Sequence, residues 1–170
     1  MRPRTKPKGG ALMTEDEFLP LFDRYHNMVY KIALVYTGSP PDAEDIVQTV
    51  FLKLLEGGSR PFPEHEKAWF AKVAVNACRD FLRRNLRQKT EPLDETIPFS
   101  DPEEGELFEA VAALPKKYRL AVHLHYYEGY TCDEIGRLLG ISSSAVSMRL
   151  HRARKLLRSI LKEDINEPAL

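Results

Sequence analysis

Residues 131–154 read TCDEIGRLLGISSSAVSMRLHRAR, and this stretch contains the pattern that decides the fold. Thr131 and Glu134 have the spacing of a capping box, which predicts that a helix starts here. Gly140 follows the last apolar residue of that short helix and suits a left-handed C-cap. A second helix is predicted over about residues 144–161. A short helix, a glycine turn and a longer helix together indicate a helix-turn-helix.

The second helix of this pattern has one apolar face and one basic face. At about 100° per residue, four apolar side chains fall on one narrow stripe that faces a core. They are Val146, Leu150, Ala153 and Leu157. The opposite face has no acidic residue and comprises Ser144, Ser147, Met148, His151, Arg152, Lys155 and Arg158. Such a helix fits the DNA major groove, so we predict DNA binding, with an ordinary surface helix of a bundle as the alternative.

Three further amphipathic helices are predicted in the first half of the chain. The first starts at a capping box at residues 14–17 and ends at the Gly-Ser-Pro-Pro sequence of residues 38–41. The second begins near Asp42 and stops at the glycine pair of residues 57–58. The third runs over about residues 66–86. Three amphipathic helices of this length predict one helical domain.

Two segments lack helical periodicity. Residues 57–65 contain two prolines and are predicted to form a loop. After the third helix, prolines and acids accumulate, which is typical of a flexible, extended linker. We therefore expect an all-α fold of two small helical domains joined by a flexible acidic linker, with the helix-turn-helix in the C-terminal domain. The expected parts are a disordered basic arm at 1–13, domains at 14–86 and 104–162, a linker at 87–103 and a tail at 163–170. A start of the protein at Met13 is the alternative to the arm.

Charge is distributed unevenly along a chain with no net charge. The 170 residues include 25 Lys and Arg and 25 Asp and Glu. Residues 2–8 and 79–89 are basic, residues 91–109 hold eight acids and no Lys or Arg, and residues 135–162 hold seven basic residues and no acid. Solvated helix faces would explain such runs, but separate basic segments also suit a polyanion contacted at two places.

Composition and motifs argue against membrane proteins, exported proteins and metalloenzymes. No stretch reaches the about 18 consecutive apolar residues of a membrane span, and no signal-peptide core follows the basic start, so we expect a cytoplasmic protein without membrane insertion. His65 and Glu66 begin like a zinc-hydrolase helix, but Trp69 stands where the second ligand is required. Cys78 and Cys132 are expected to pack as small apolar groups. We predict no cofactor, no metal site and no enzymatic activity.

Two separated sets of motifs resemble the conserved regions of bacterial sigma factors, specifically of the extracytoplasmic-function group. They are DAEDIVQ at 42–48, WFAKVAVN at 69–76, LPKKYR at 114–119, YEGYT at 127–131 and AVSMRLHRAR at 145–154. The resemblance covers about residues 15–86 and 104–160. It implies a non-catalytic subunit of RNA polymerase that directs the core enzyme to promoter DNA, and it leaves open an anti-sigma factor as a further partner.

The resemblance assigns two contacts to the first domain. It implies that the second helix docks on the coiled coil of the large clamp subunit of the polymerase. The residues concerned are Asp45, Gln48, Phe51 and Leu52. For Phe51 and Leu52, a place in the core is the equal alternative. The following loop and helix would contact the melted downstream promoter element, and Trp69 would either stack on DNA or lie in the core. The basic and polar residues of this contact are Lys72, Asn76, Arg79, Arg83 and Arg84.

The resemblance also implies that the helix-turn-helix reads the upstream promoter element as duplex. The residues concerned are Ser144, Ser147, Met148, His151 and Arg152 at base edges, and Arg149, Arg154 and Lys155 at phosphates. A bidentate contact from Arg152 to guanine would be worth about 1–3 kcal/mol of discrimination. The alternative functions are a stand-alone helix-turn-helix repressor or activator, and a helical interaction protein that does not touch DNA.

Overall fold

A computed structural model describes residues 13–56, 61–88 and 105–166. These ranges contain no β-strand, and none of their helices combines the length and apolar character needed to cross a membrane. The helices are α1 (Glu15–Thr37), α2 (Pro40–Glu56), α3 (Glu66–Gln88), α4 (Gly105–Ala112), α5 (Lys116–Val122), α6 (Cys132–Leu139) and α7 (Ser143–Asn166). A π-helical turn, His123–Tyr127, follows α5. The predicted all-α fold is confirmed for the described residues.

Local sequence signals set the ends of the first two helices. The backbone N–H of Thr14 donates to the Glu17 carboxylate at 3.0 Å, so the predicted capping box starts α1. Gly38 ends α1 in the left-handed conformation, with φ of 72°. Helix α2 begins at Pro40, earlier than the predicted Asp42. Proline is tolerated there because the first turn of a helix leaves its N–H groups unbonded.

The loop predicted for residues 57–65 needs one correction. Its last part, Pro63–His65, forms a 3-10 turn that leads directly into α3. Because proline has a fixed φ near the helical value, it suits the first position of such a turn. The expectations for the basic arm, the start of this loop, the acidic linker and the end of the tail fall on residues 1–12, 57–60, 89–104 and 167–170, which lie outside the described residues.

Aromatic rings form the centre of the N-terminal helices. Phe70 of α3 is fully buried, and its ring centroid lies 4.5 Å from that of Tyr25 and 5.4 Å from that of Phe51. Phe51 also lies 4.8 Å from Phe22. Phe51 is only 4% exposed, whereas its neighbour Leu52 is 55% exposed. Of the two alternatives for Phe51, the structure shows the place in the core, because this ring is enclosed by α1 and α3.

Glu66 is a buried charge at the start of α3. Its side chain is 1% exposed, and its carboxylate accepts hydrogen bonds from the Tyr25 hydroxyl at 3.2 Å and the Arg24 guanidinium at 3.1 Å. An acid at this position also suits the positive end of the helix dipole. Glu66 thus ties α3 to α1. Within residues 13–56, 61–88 and 105–166, no group of three or more His, Cys, Asp or Glu is placed to hold a metal ion.

The two cysteines are free thiols. Cys78 is fully buried, and burial raises the pKa of its thiol to about 12, so the thiol stays protonated. Cys132 is half-buried at the start of α6 and packs against the core. The prediction that both cysteines pack as small apolar groups is confirmed.

The apolar stripe of α7 builds the core of the C-terminal helices. Val146 and Ala153 are fully buried, Leu150 is 3% exposed and Leu157 is half-buried. Ile135 of α6 is also fully buried. Since these side chains fix which side of α7 faces inward, they also fix which side faces solvent.

A buried arginine joins the two groups of helices. Arg119 of α5 is 5% exposed; its Nε donates to the carbonyl of Val35 at 2.9 Å, and its guanidinium donates to the carbonyl of Ala112 at 2.8 Å. Val35 lies in the last turn of α1, and Ala112 is the last residue of α4. Carbonyls at these positions have no acceptor role within their own helix, so they require outside donors. Arg119 supplies these donors to α1 in the N-terminal half and to α4 in the C-terminal half.

Replacing Phe51 tests its assignment to the core. Phe51→Ala is expected to lower the free energy of unfolding by about 3–5 kcal/mol, because it leaves a cavity among packed rings. The measurement is urea denaturation followed by circular dichroism. Leu52→Ala removes a mostly exposed side chain from the next position and is expected to change stability by less than about 0.5 kcal/mol. Equal losses from the two substitutions would contradict the assignment.

Candidate nucleic-acid interface

The basic face of α7 is exposed as predicted. The Ser142 hydroxyl accepts the N–H of Ala145 at 3.1 Å and caps the helix, which therefore begins at Ser143 rather than at Ser144. The exposed side chains of this face are Ser144, Ser147, Met148, His151, Arg152, Lys155 and Arg158. No acid lies among them, so the predicted separation of an apolar and a basic face is confirmed. Arg149 is half-buried.

Two arginines of α7 form hydrogen bonds with tyrosine hydroxyls. A hydrogen bond from Arg152 lowers the pKa of the Tyr118 hydroxyl. Arg154 donates to the Tyr126 hydroxyl at 3.1 Å. Each arginine is exposed, so its guanidinium keeps other donors for an anion while the tyrosine limits its motion. The sequence motifs did not indicate Tyr126, because the π-helical turn that places it beside α7 has no recognised sequence signal.

Glycine allows α6 and α7 to approach closely. Gly140 has φ of 68°, which confirms the predicted left-handed C-cap of α6. The N–H of Ile141 donates to the carbonyl of Gly136 at 3.0 Å. A Cβ atom at Gly136 would lie 2.7 Å from the carbonyl oxygen of Ile141, which is too close for a real contact. No structural role was predicted for Gly136 from the sequence, although a glycine within a short helix is itself a signal, since it costs about 1 kcal/mol relative to alanine.

Two of the basic residues predicted to bind the downstream element contact the C-terminal helices in this structure. The Lys72 ammonium donates to the carbonyl of Arg137 at 3.1 Å. Arg79 donates to the carbonyl of Leu139. Both carbonyls belong to the last turn of α6. The sequence contains no signal for these contacts, because the partners are at least sixty positions apart and one partner in each pair is backbone.

The other predicted residues of α3 remain on its surface. Asn76, Arg83 and Arg84 are exposed. The Arg83 guanidinium lies 3.7 Å from the Asp80 carboxylate, and Arg84 donates to the Asp80 carbonyl at 3.4 Å. Trp69 is half-buried, so part of its ring stays accessible. Asn76, Arg83 and Arg84 are therefore accessible on α3, and the end of α6 contacts Lys72 and Arg79 of the same helix.

The polar side of α2 forms a separate exposed face. Asp45, Gln48 and Leu52 are exposed, and Leu52 is the apolar residue among them. Phe51 lies behind this face in the core. Three of the four residues predicted to contact the polymerase are therefore available to a partner.

Comparison with known proteins identifies the family. Residues 21–88 match the model of Sigma-70 region 2, and residues 104–157 match that of Sigma-70, region 4. The ECF RNA polymerase sigma factor SigE of Mycolicibacterium smegmatis is 30% identical, over 99% of this chain and 74% of that protein. The RNA polymerase sigma factor SigV of Bacillus subtilis is 34% identical, over 81% of this chain and 87% of that protein. This chain is a sigma factor of the extracytoplasmic-function group. The alternative of a stand-alone helix-turn-helix regulator is not favoured, because both regions match.

Solved structures share the fold of this sigma factor. The sigma factor RpoE of Bartonella quintana, solved in complex with the anti-sigma factor NepR, superposes with a TM-score of 0.67 at 18% identity, over 88% of this chain and 98% of that one. CnrH, solved with the cytosolic domain of CnrY, superposes with a TM-score of 0.59 at 22% identity, over 89% of this chain and 91% of that one. These two likenesses show that the helical fold is shared.

A methyl group at Gly136 tests the geometry of the turn. Gly136→Ala is expected to destabilise the protein by about 1–3 kcal/mol, because the added Cβ must push the backbone carbonyl of Ile141 away. Thermal unfolding gives the change in stability, and Arg137→Ala at the next, exposed position is the matched control. If Gly136→Ala were as stable as this control, the close approach of α6 and α7 would be contradicted.

Proposed function

We propose that this sigma factor acts in the cytoplasm as a non-catalytic subunit of RNA polymerase that contacts promoter DNA at two elements. The observation that carries the proposal is the exposed, acid-free face of α7, set by the buried stripe on its other side. In this proposal, residues 14–86 and 104–162 are separate domains joined by the linker at 87–103. The acidic linker would occupy the positively charged polymerase channel that later holds RNA.

The upstream element is the proposed ligand of α7. The N-terminal end of a recognition helix contacts base edges, and flanking basic side chains contact phosphates. The proposed base readers are Ser144, Ser147, Met148, His151 and Arg152, and the proposed phosphate contacts are Arg149, Arg154 and Lys155. The tyrosine contacts of Arg152 and Arg154 support this arrangement, since side chains that are already positioned lose less conformational entropy on binding.

The downstream element is the proposed ligand of α3. Lys72, Asn76, Arg79, Arg83 and Arg84 lie along one helix, and cationic side chains of this kind follow the backbone of a single strand. Four of the five are exposed and Arg79 is half-buried. Lys72 and Arg79 already contact backbone oxygens, which are acceptors like those of a phosphate.

Core polymerase is the proposed partner of α2. Asp45, Gln48 and Leu52 offer a charge, an amide and an exposed apolar side chain on one helix, which suits docking on the coiled coil of the clamp subunit. Phe51 would stabilise this face by packing in the core beneath it. We also propose an anti-sigma factor as regulator. Its support is that the Bartonella quintana sigma factor of the same fold was solved bound to one.

Run-off transcription on a library of genomic fragments tests the proposal. The purified sigma factor is expected to produce discrete transcripts with core polymerase and none without it. Sequencing the start sites would also provide the promoter consensus. Repression of transcripts made by another sigma factor, with no initiation of its own, would instead support a stand-alone regulator and contradict the proposal.

Two substitutions on α7 separate base reading from phosphate contact. Arg152→Ala is expected to weaken binding of the holoenzyme to the upstream consensus by about 1–3 kcal/mol and to relax selectivity at one base pair. Lys155→Ala is expected to weaken all sequences alike and to lower the slope of log affinity against log salt by about one. The measurement is competition binding against single-base variants at several salt concentrations. Identical selectivity profiles for the two variants would contradict these roles.

Substitutions on α2 test the polymerase contact. Asp45→Ala and Gln48→Ala are each expected to weaken binding to core polymerase about tenfold, because each removes a polar contact at an interface. Fluorescence titration of labelled sigma factor with core gives the affinity. Glu44→Ala, an exposed neighbour that lies toward Tyr30 of α1, is the control. Unchanged affinity of Asp45→Ala and Gln48→Ala, at unchanged melting temperature, would remove this face from the proposal.

A further inference from the structure

We infer that Tyr126, which lies in the π-helical turn outside α7, is a further DNA contact, whose hydroxyl donates to a phosphate oxygen of the upstream duplex beside the guanidinium of Arg154. The inference rests on the proposed function of α7 and adds to it a residue from a second element. It is supported by the position of Arg154 on α7, the exposure of Tyr126, the direction of their hydrogen bond and the packing of the turn.

Arg154 lies at one border of the basic face of α7. At about 100° per residue, Arg152 and Arg154 point about 160° apart, and the other residues of the basic face fall between them. The buried stripe occupies the remaining side of the helix. The two strands of a duplex run along the two sides of a helix that lies in the major groove. Side chains at the two borders are therefore placed to meet phosphates.

Each of these border arginines has a tyrosine partner from another element, and the two tyrosines differ in exposure. Tyr118 of α5, which has a hydrogen bond from Arg152, is 9% exposed. Tyr126, the partner of Arg154, is 55% exposed. Tyr126 therefore presents much more of its side chain to a ligand of α7 than Tyr118 does.

The hydrogen bond between Arg154 and Tyr126 leaves the tyrosine with a donor to spare. The guanidinium donates to the Tyr126 hydroxyl oxygen at 3.1 Å, so the hydroxyl acts as an acceptor in this contact. Within the described part of the chain, its own proton is donated to no other residue. A hydroxyl that accepts from a charged group is polarised and makes a stronger donor. A phosphate oxygen would accept from both side chains at once.

The turn that carries Tyr126 is tied together by its own residues. The N–H of Glu128 donates to the carbonyl of His123 at 3.1 Å. The ring of His125 packs edge-on against the Tyr126 ring, with 4.8 Å between the centroids, and its Nδ1 lies 2.8 Å from the carbonyl oxygen of Tyr130. A hydroxyl that is positioned before binding costs little conformational entropy when it makes its contact. Short π-helical segments of this kind are frequent at functional sites.

DNA binding by the holoenzyme tests the inference. The probe is a fluorescein-labelled duplex selected for holoenzyme binding from a random-sequence library. The variants are Tyr126→Phe, Arg154→Ala and the double variant, each titrated at several salt concentrations. Tyr127→Phe is the matched control, because Tyr127 is the next residue, is 48% exposed and donates its hydroxyl proton to none of the described residues.

Tyr126→Phe is expected to weaken binding about fivefold, which is the effect of losing one hydrogen bond. It removes no charge, so the slope of log affinity against log salt stays at the wild-type value, whereas Arg154→Ala lowers that slope by about one. In the Arg154→Ala background, Tyr126→Phe is expected to weaken binding about threefold again, because the hydroxyl contacts the phosphate itself. Tyr127→Phe is expected to bind like the wild type. Melting temperatures confirm that each variant is folded.

Two results would overturn the inference. One is an unchanged affinity of Tyr126→Phe. The other is no further loss from Tyr126→Phe in the Arg154→Ala background, which would show that the tyrosine only positions the arginine. Lys155→Ala separates these failures from a failure of the proposed function. If Lys155→Ala weakens binding and Tyr126→Phe does not, the inference alone is wrong; if both bind like the wild type, α7 is not the DNA-binding element and the proposed function fails with it.

Discussion

The carbonyl groups at the ends of helices need hydrogen-bond donors, and in this sigma factor basic side chains from other helices supply them. Arg119 serves the ends of α1 and α4, and Lys72 and Arg79 serve the end of α6. A fold made of short helices has many such ends, and each is a weak anion-like site. Lys72 and Arg79, two of the residues proposed to bind DNA, are therefore also residues that join the two halves.

The orientation of each functional face follows from burial on its other side. On α7, fully buried Val146 and Ala153 fix the inward side, so the acid-free face can only point to solvent. On α2, the Phe51 ring is locked among aromatic rings, which leaves Leu52 exposed beside Asp45. Functional selectivity here depends on apolar packing as much as on the polar groups, because a rotated helix would present a different set of side chains.

Much of the architecture was predictable from local sequence. The capping box at Thr131, the left-handed Gly140 and the stripe of α7 all act within one or two helical turns, and all are confirmed. The choice between Phe51 and Leu52 was not predictable, because apolar residues of α2 spread beyond one stripe and periodicity alone does not separate neighbouring positions. The contacts that Arg119, Lys72 and Arg79 make between the halves were not predictable, because each joins a side chain to a backbone carbonyl at least sixty positions away.

The central claim is that two halves meet in the free sigma factor and separate when polymerase holds them at two promoter elements. Nitroxide labels at Asp23→Cys on α1 and Ser159→Cys on α7, in a Cys132→Ser background, report the distance between the halves by pulsed electron paramagnetic resonance; all three positions are at least partly accessible. We predict one narrow, short distance distribution for the free chain and a longer one after core polymerase is added. A distribution that is already broad in the free chain, or one that core polymerase leaves unchanged, would contradict the account.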